Sequence, residues 1–351
     1  MQLGLCAGMG GAVRRNMLLP KGKLPHALLS RLVHRNLPMV RHPLHIPSSR
    51  IGKAGGIVAS VDPVAGIPLN SYGFFAVHYS ASDVAAQGAT PRYLMLDICY
   101  PEGTSSGWLS KTTRALGAEA REYHISILGG HTGAYDGISG PLISSMCIGY
   151  GSGKGVFGPK GVRAGDKLLL AGQLCLESAW LIATVKPRVV ESFLGNRAST
   201  RMRGRMHDLT PLPNALAAHN LGAKHLHDVT EGGLASALQE LVHATGKSIV
   251  IERGQLPFDG DSLSLMRALG EDPLSASSFG ALLIVASPRE AEGMLSAQRA
   301  FRGPISLCGH FEEGEDVLIL SGGQKVPLRP TRDIYRKFSE GLVRGRPSTQ
   351  P

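Results

Sequence analysis

The chain has 351 residues, a length that suits two domains, and 43% of them are hydrophobic, enough for sizeable cores. Aromatics make up 5% and glycines number 45, a balance that favours α/β architecture with many tight turns over an all-β sandwich. No apolar run nears the ~20 residues that span a bilayer, and the apolar stretch beside the two early arginines is too broken for a secretory signal, so a cytoplasmic protein is expected.

Five cysteines (Cys6, Cys99, Cys147, Cys175, Cys308) are scattered with no CxxC pair, which excludes a disulfide framework and zinc spacing. Cys99 and Cys147 sit in apolar runs and read as small core residues. Charge is uneven. Residues 1–61 hold nine Lys and Arg and no acid, so they supply +9 of the net +10. Such a field suits nucleotide phosphates, an acidic protein partner or nucleic acid; a solvated basic tail is the plain alternative. The segment has no aromatic on which a base could stack, which ranks nucleic acid last.

In chain order, residues 1–20 read as a disordered basic arm, with Met17 as an alternative start. A helix is expected over Pro25–Asn36, then a strand from Ile57 to Val61 that ends at Asp62. A helix over Tyr72–Gln87 stops at Gly88. A strand at Tyr93–Tyr100, a helix at Trp108–Tyr123 and a buried-type strand at Ile125–Leu128 follow. That strand runs into Gly129-Gly130-His131-Thr132. After a strand at Leu142–Tyr150, the Gly-rich stretch from 151 to 165 marks a domain boundary, with domains at 21–155 and 163–330. The second domain opens on a strand at Lys167–Ala171 and a helix at Leu176–Val185. Arg188–Arg205 shows no clear period and is expected to be a mobile basic loop. A helix at Pro211–Asn220 leads to a short strand at Lys224–Leu226. Strands are expected at Ser248–Ile251, Ala281–Ala286, Ile305–Cys308 and Val317–Leu320, with helices near Ser262–Leu269 and Pro288–Ala297. Residues 343–351 read as a disordered tail.

Four segments could carry chemistry. In His227-Asp228-Val-Thr230-Glu231-Gly232-Gly233, two acids lie at a strand-to-helix turn. There the glycines admit a close neighbour and free N–H groups attract anions; the plain reading is an N-cap. Asp83, flanked by Ser80 and Ser82 as candidate donors, stands in an apolar helix. It is either exposed or needs a cation or a Lys/Arg partner. His131 follows two glycines at a strand's carboxyl end, where open α/β sheets bind ligands, and is a phosphate donor, a base or a structural residue. Asp62, before Pro63, is a turn former or a metal carboxylate.

Taken together these segments resemble the superfamily of aminoimidazole ribonucleotide (AIR) synthetase, with its relatives thiamine-monophosphate kinase, selenophosphate synthetase and the hydrogenase-maturation carbamoyl dehydratase. The similar stretches are Ser60-Val-Asp62-Pro, Ser80-Ala-Ser-Asp83-Val-Ala-Ala-Gln-Gly-Ala, Gly129-Gly-His131-Thr132, Val162-Arg-Ala-Gly-Asp-Lys, His227-Asp228-Val-Thr-Glu231-Gly-Gly, Asp272-Pro-Leu…Ser278-Phe-Gly-Ala and Gly309-His-Phe-Glu-Glu-Gly. With Gly22-Lys-Leu-Pro25 the hydrogenase-maturation branch is the nearest. The resemblance implies a two-domain α/β (α+β) fold whose N-terminal sheets pair in a dimer barrel, beside a C-terminal α/β sandwich. It implies an ATP- and Mg²⁺-dependent homodimer that activates a substrate oxygen by phosphorylation. Asp62, Asp83 and Asp228 would hold the metal. Lys53, Gly129, Gly130, His131 and Thr132 would contact the nucleotide. Glu231, with His131, would serve proton transfer or orient the substrate. Two departures stand out. The family's Gly-Asp-Asp turn reads Gly52-Lys53-Ala54-Gly55-Gly56 here, and the chain closes on Ser348-Thr-Gln-Pro351 without the carbamoyl-carrying cysteine. A non-catalytic nucleotide-binding scaffold and a small-molecule kinase are the alternatives.

Overall fold

The computed structural model describes residues 48–51, 56–151, 158–321, 324–328 and 334. The expected helix at Pro25–Asn36, the basic arm, Lys53 and the tail lie outside these residues. Among the described residues the strands form two sheets, one of five strands and one of seven.

The first sheet contains β1 (Ser48–Ile51), β2 (Ile57–Val64), β3 (Ala89–Tyr100), β4 (Ser126–Ala134) and β5 (Leu142–Gly151), in the order β1-β2-β5-β3-β4. Only the β3–β4 pair is parallel. The strand carrying Asp62 does not end there; β2 continues through Pro63 to Val64. Among the described residues it pairs with β1 from Ile57 to Ser60.

Helix α1 (Tyr72–Ala86) lies across this sheet, and 14 of its 15 residues are buried. A helix apolar all round belongs in a core, and α1 is sandwiched between the two sheets. Its Gly73 lets α2 (Ser106–Glu122) close on it: a Cβ there would lie 2.4 Å from the Thr112 carbonyl oxygen. The scarce aromatics gather at this seam. Phe75 lies 5.5 Å from Trp180 and Tyr79 lies 4.9 Å from Phe279, between ring centroids.

The second sheet contains β6 (Lys167–Ala171), β7 (His225–Asp228), β8 (Ser248–Glu252), β9 (Leu282–Ala286), β10 (Ile305–Glu312), β11 (Val317–Ser321) and β12 (Gln324–Pro327). Their order is β12-β11-β8-β10-β6-β9-β7. Every residue of β9 is buried, as its unbroken Leu-Leu-Ile-Val-Ala run requires of a strand covered on both faces. One face meets α1 and α5 (Leu212–Asn220). The other is covered by α3 (Leu176–Val185), α4 (Pro187–Arg203), α6 (Gly233–Thr245) and α7 (Gly260–Ala268). Helix α8 is Pro288–Ser296.

Two expectations need correction. The segment Arg188–Arg205 is no loop but largely helix α4. Val190, Leu194, Ala198 and Met202 recur every four residues, and Val190, Ala198 and Met202 are buried. Four arginines and a kink at Gly195 (φ 79°, ψ 166°) conceal that period. Cys99 is not a core residue either. It is half-buried on the face of the first sheet opposite α1, and its thiol donates to Asp97 at 3.4 Å. On the same face Val61, Met95, Met146 and Tyr150 are exposed. No helix among the described residues is long and apolar enough to cross a membrane.

Candidate functional site

Asp83 is buried on α1, where Ser60 Oγ of β2 donates to its Oδ2 at 2.7 Å. Burial first, then the charges of Asp62 and Asp228, hold its carboxyl well above the ordinary carboxylate range. The Ser60 bond works the other way, while a hydrogen bond with Asp62 again favours the protonated form. Three acids separated by 166 positions therefore face one another, from β2, from α1 and from the end of β7. Ser80 is not a donor to this group. It hydrogen-bonds Ser145 Oγ at 3.1 Å, and Ser145 donates to the Asp62 carbonyl oxygen at 3.4 Å, tying α1 to β5 and β2. Ser82 Oγ is buried one residue from Asp83 with no protein partner. Ser60, inside the quoted Ser60-Val-Asp62-Pro stretch, is the donor that reading α1 alone missed.

The acid turn after β7 is shaped by its glycines. Gly232 (φ 89°) and Gly233 (φ 63°) both adopt left-handed backbone. At Gly233 a Cβ would sit 2.6 Å from the Ala276 carbonyl oxygen and 2.7 Å from that of Leu274, so the close neighbour is the chain segment 274–276. The N–H groups expected to be free for an anion are largely taken: Gly233 donates to Thr230, Ala235 to Leu274 and Ser236 to Gly232. Glu231 and Asp228 are half-buried on this turn. His227 Nδ1 donates to the Asp228 carbonyl oxygen at 2.6 Å and Nε2 to Glu240 at 3.1 Å. Burial opposes charging of this imidazole, but the Glu240 bond and the Asp228 charge outweigh it and raise its pKa. Its Nδ1 also lies 3.7 Å from Asp228 Oδ1.

The packing partner of Gly233 is itself held by α3. Glu177 Oε2 accepts from the Phe279 N–H at 3.0 Å and from the Ser277 hydroxyl, while Ser278 Oγ accepts from the Cys175 N–H at 2.8 Å. Cys175 takes φ 68° to do so. Glu177 was missed, although an acid within an apolar helix is the same signal that singled out Asp83.

The Gly129-Gly130-His131-Thr132 segment is not a turn; it lies inside the exposed edge strand β4. Gly130 is dictated by strand packing, because a Cβ there would fall 1.8 Å from the Leu96 carbonyl oxygen. Gly129 has open space at that position. Asp62, Ser145, Leu96 and Gly130 form one row across the sheet, three strand spacings or about 14 Å wide. His131 is one residue on, opposite Asp97 and hence on the face away from Asp83. Its ring hydrogen-bonds the Tyr135 hydroxyl. The structure brings Asp62, Asp83 and Asp228 together and leaves His131 apart from them.

Among the described residues no group of three His, Cys, Asp or Glu is already arranged to hold a metal ion. The orphaned Ser82 hydroxyl and a carboxyl whose ionisation is opposed by burial and by two neighbouring acids nevertheless fit a site that a cation completes. A cavity of about 490 Å³ opens elsewhere, between α3, α4 and the start of α7, and none of the candidate residues lines it. Its arginines are already matched, Arg201 with Asp261 and Arg205 with Asp208 and Asp259, so it offers no uncompensated charge to a ligand.

Behind Asp228, His225 is 1% exposed, and burial, with the His227 charge adding to it, pushes its imidazole down to about 3. The folded state thus binds this proton less readily than the unfolded chain, whose histidine titrates near 6.5. Stability from this group is full above about pH 6.5 and lost as pH falls towards 3, at up to about 1.4 kcal/mol per pH unit. His225→Leu is expected to flatten the decline of melting temperature between pH 6.5 and 4. An unchanged slope would assign the acid sensitivity to other groups.

The description "AIR synthase related protein, N-terminal domain" matches residues 47–150, and "AIR synthase related protein, C-terminal domain" matches residues 163–320. The chain belongs to the AIR synthase related family. It is 26% identical over 257 residues to carbamoyl dehydratase HypE of Bradyrhizobium diazoefficiens, covering 71% of each chain. To HypE of Rhodobacter capsulatus it is 29% identical over 259 residues, again covering 71% of each. To a putative hydrogenase expression/formation protein of Methanocaldococcus jannaschii it is 24% identical, over 66% of this chain and 67% of that one. The fold is similar to the crystal structure of Escherichia coli HypE (TM-score 0.69, 24% identity, 78% of this chain and 85% of that one). It is also similar to HypE in complex with ATP (0.66, 21%, 91% and 98%) and to thiamine monophosphate kinase of Aquifex aeolicus (0.66, 18%, 86% and 96%). This AIR synthase related chain thus has the expected α/β (α+β) fold in both halves.

Proposed function

We propose that this AIR synthase related chain is an ATP-dependent enzyme near the hydrogenase-maturation branch, which activates a substrate oxygen by phosphorylation. The observation that carries the reading is the convergence of Asp62, Asp83 and Asp228. A similar fold in the ATP complex of HypE supports it. Bound Mg²⁺ would offset phosphate charge and favour departure of the γ-phosphoryl group. Asp83 would take part as a carboxylate, held in place by the Ser60 hydroxyl. His227 would keep the Asp228 turn in position and add a positive charge beside it. Glu231 is assigned proton transfer or substrate orientation. A homodimer paired through the uncovered face of the first sheet would bury Val61, Met95, Met146 and Tyr150. It would also enclose Gly129 and His131, while Gly130 and Thr132 share register with Leu96 and Ile98 on the opposite face; nucleotide contact is the role proposed for all four. A protein partner, as in the complex of HypE with HypF, is part of the same reading. Domains at 21–155 and 163–330 are proposed.

One observation favours a second reading over carbamoyl chemistry. None of the four described cysteines fits a carrier role: burial pushes Cys175 and Cys308 up to about 12, and Cys147 and Cys99 are also raised. A phosphotransferase acting on a small oxygen nucleophile needs no thiol. Saturating MgATP is expected to raise the melting temperature by about 4–8 °C, since ligand at 100 times Kd adds about 2.7 kcal/mol. Absence of both a thermal shift and binding heat would remove the nucleotide from the account.

A further inference from the structure

Helix α1 carries a second buried titratable group that the acid site does not use. His78 lies five residues before Asp83 and is fully buried. Its Nδ1 is 2.7 Å from Thr210 Oγ1 and its Nε2 is 3.0 Å from Glu119 Oε2. Thr210 Oγ1 also accepts from the Leu212 N–H at 3.2 Å. The polarity follows from valence. Glu119, its pKa lowered chiefly by the His78 bond, only accepts, so Nε2 carries the proton and Nδ1 receives the Thr210 hydroxyl. The ring is clamped as well, 4.1 Å from Phe74 and edge-on to Tyr123 at 5.3 Å, between centroids.

This relay joins three pieces of chain: α1, α2 and the 206–212 segment that enters α5. Helix α5 leads directly into β7 and Asp228. At 1.5 Å rise per residue, His78 and Asp83 are about 7.5 Å apart along the α1 axis. A slide or roll of α1 at His78 therefore reaches Asp83 undamped. Apolar side chains would hold α1 as firmly, but they do not specify its rotation as hydrogen bonds of fixed direction do.

We propose that His78 and Thr210 are positioning residues, whose relay sets the register of α1 against the second sheet and so the separation at which Asp83 meets Asp228. The functional consequence rests on the proposed nucleotide site; the register itself does not. In the full chain, Thr210→Val removes at nearly constant volume both the proton given to His78 and the acceptor of the Leu212 N–H, and Thr210→Ser restores both. Hydrogen–deuterium exchange without ligand is expected to quicken about tenfold across 72–86 and 225–228 in Thr210→Val, and to return to the wild-type rate in Thr210→Ser. The Kd for MgATP, measured well below each melting temperature, is expected to rise about tenfold and recover in the same pattern. Thr210→Ala carries the same measurements should the valine variant not fold. Unchanged exchange at 225–228 overturns the proposal. So does a lowered melting temperature with an unchanged Kd, because that is the mark of a purely structural bond. If the wild-type protein itself binds no MgATP, the nucleotide reading falls, and the exchange comparison still decides the register.

Discussion

Replacing Asp83 by Asn is expected to raise the melting temperature of the ligand-free protein and to abolish its response to MgATP. The carboxyl is buried, and two acidic neighbours disfavour its charge. An amide of the same shape removes that conflict and keeps the Ser60 contact. The gain should be about 1–3 kcal/mol, or a few degrees. Its pH dependence has a definite sign. With a folded pKa above the unfolded value near 3.9, Asp83 contributes most below that value and loses stability as pH rises through its raised folded pKa. The gap between variant and wild type should therefore widen from pH 5 to pH 8 in thermal unfolding. A variant less stable than wild type at pH 8 would show that the three acids are not in conflict. A variant that still binds MgATP normally would exclude Asp83 from the metal.

The second large effect is expected at Gly233. It shares its left-handed backbone with Gly246 at the other end of α6 (φ 63° and 62°), but their surroundings differ. A Cβ on Gly246 would meet nothing within 4 Å, whereas on Gly233 it would strike two backbone carbonyls. Gly246→Ala should cost about 1 kcal/mol for the φ alone. Gly233→Ala should cost about 3–5 kcal/mol, because the 274–276 segment must withdraw. Urea unfolding of the two variants isolates the contact term, and equal losses would show that segment to be pliable. The same withdrawal displaces Asp228 and Glu231, so nucleotide binding should weaken with Gly233→Ala and not with Gly246→Ala.

Local pattern carried most of the architecture. Strands such as Lys167–Ala171 and helices such as Leu176–Val185 were legible because their apolar runs and periods are unbroken. The α4 helix was not, because arginines and the Gly195 kink mask a period that shows only once Val190, Ala198 and Met202 are seen to be buried. The supporting roles of Glu177, Ser60 and His78 were hidden for a different reason, even where, as at Glu177, the residue itself carried a signal. Each is defined by a partner remote in sequence: Phe279, Asp83 and Thr210.

By itself the sequence determined which residue types were available and the local form around each: an acid in an apolar helix at Asp83, two acids beside paired glycines at Asp228 and Glu231, and a basic leading segment. Tertiary structure alone decided which of them share a space. Alternation across β3, β4 and β5 sends His131 to the face opposite Asp83, while α1, buried between two sheets, carries Asp83 towards Asp228. The reason is that side-chain direction is local, whereas the field felt by a carboxyl is summed over everything folded around it.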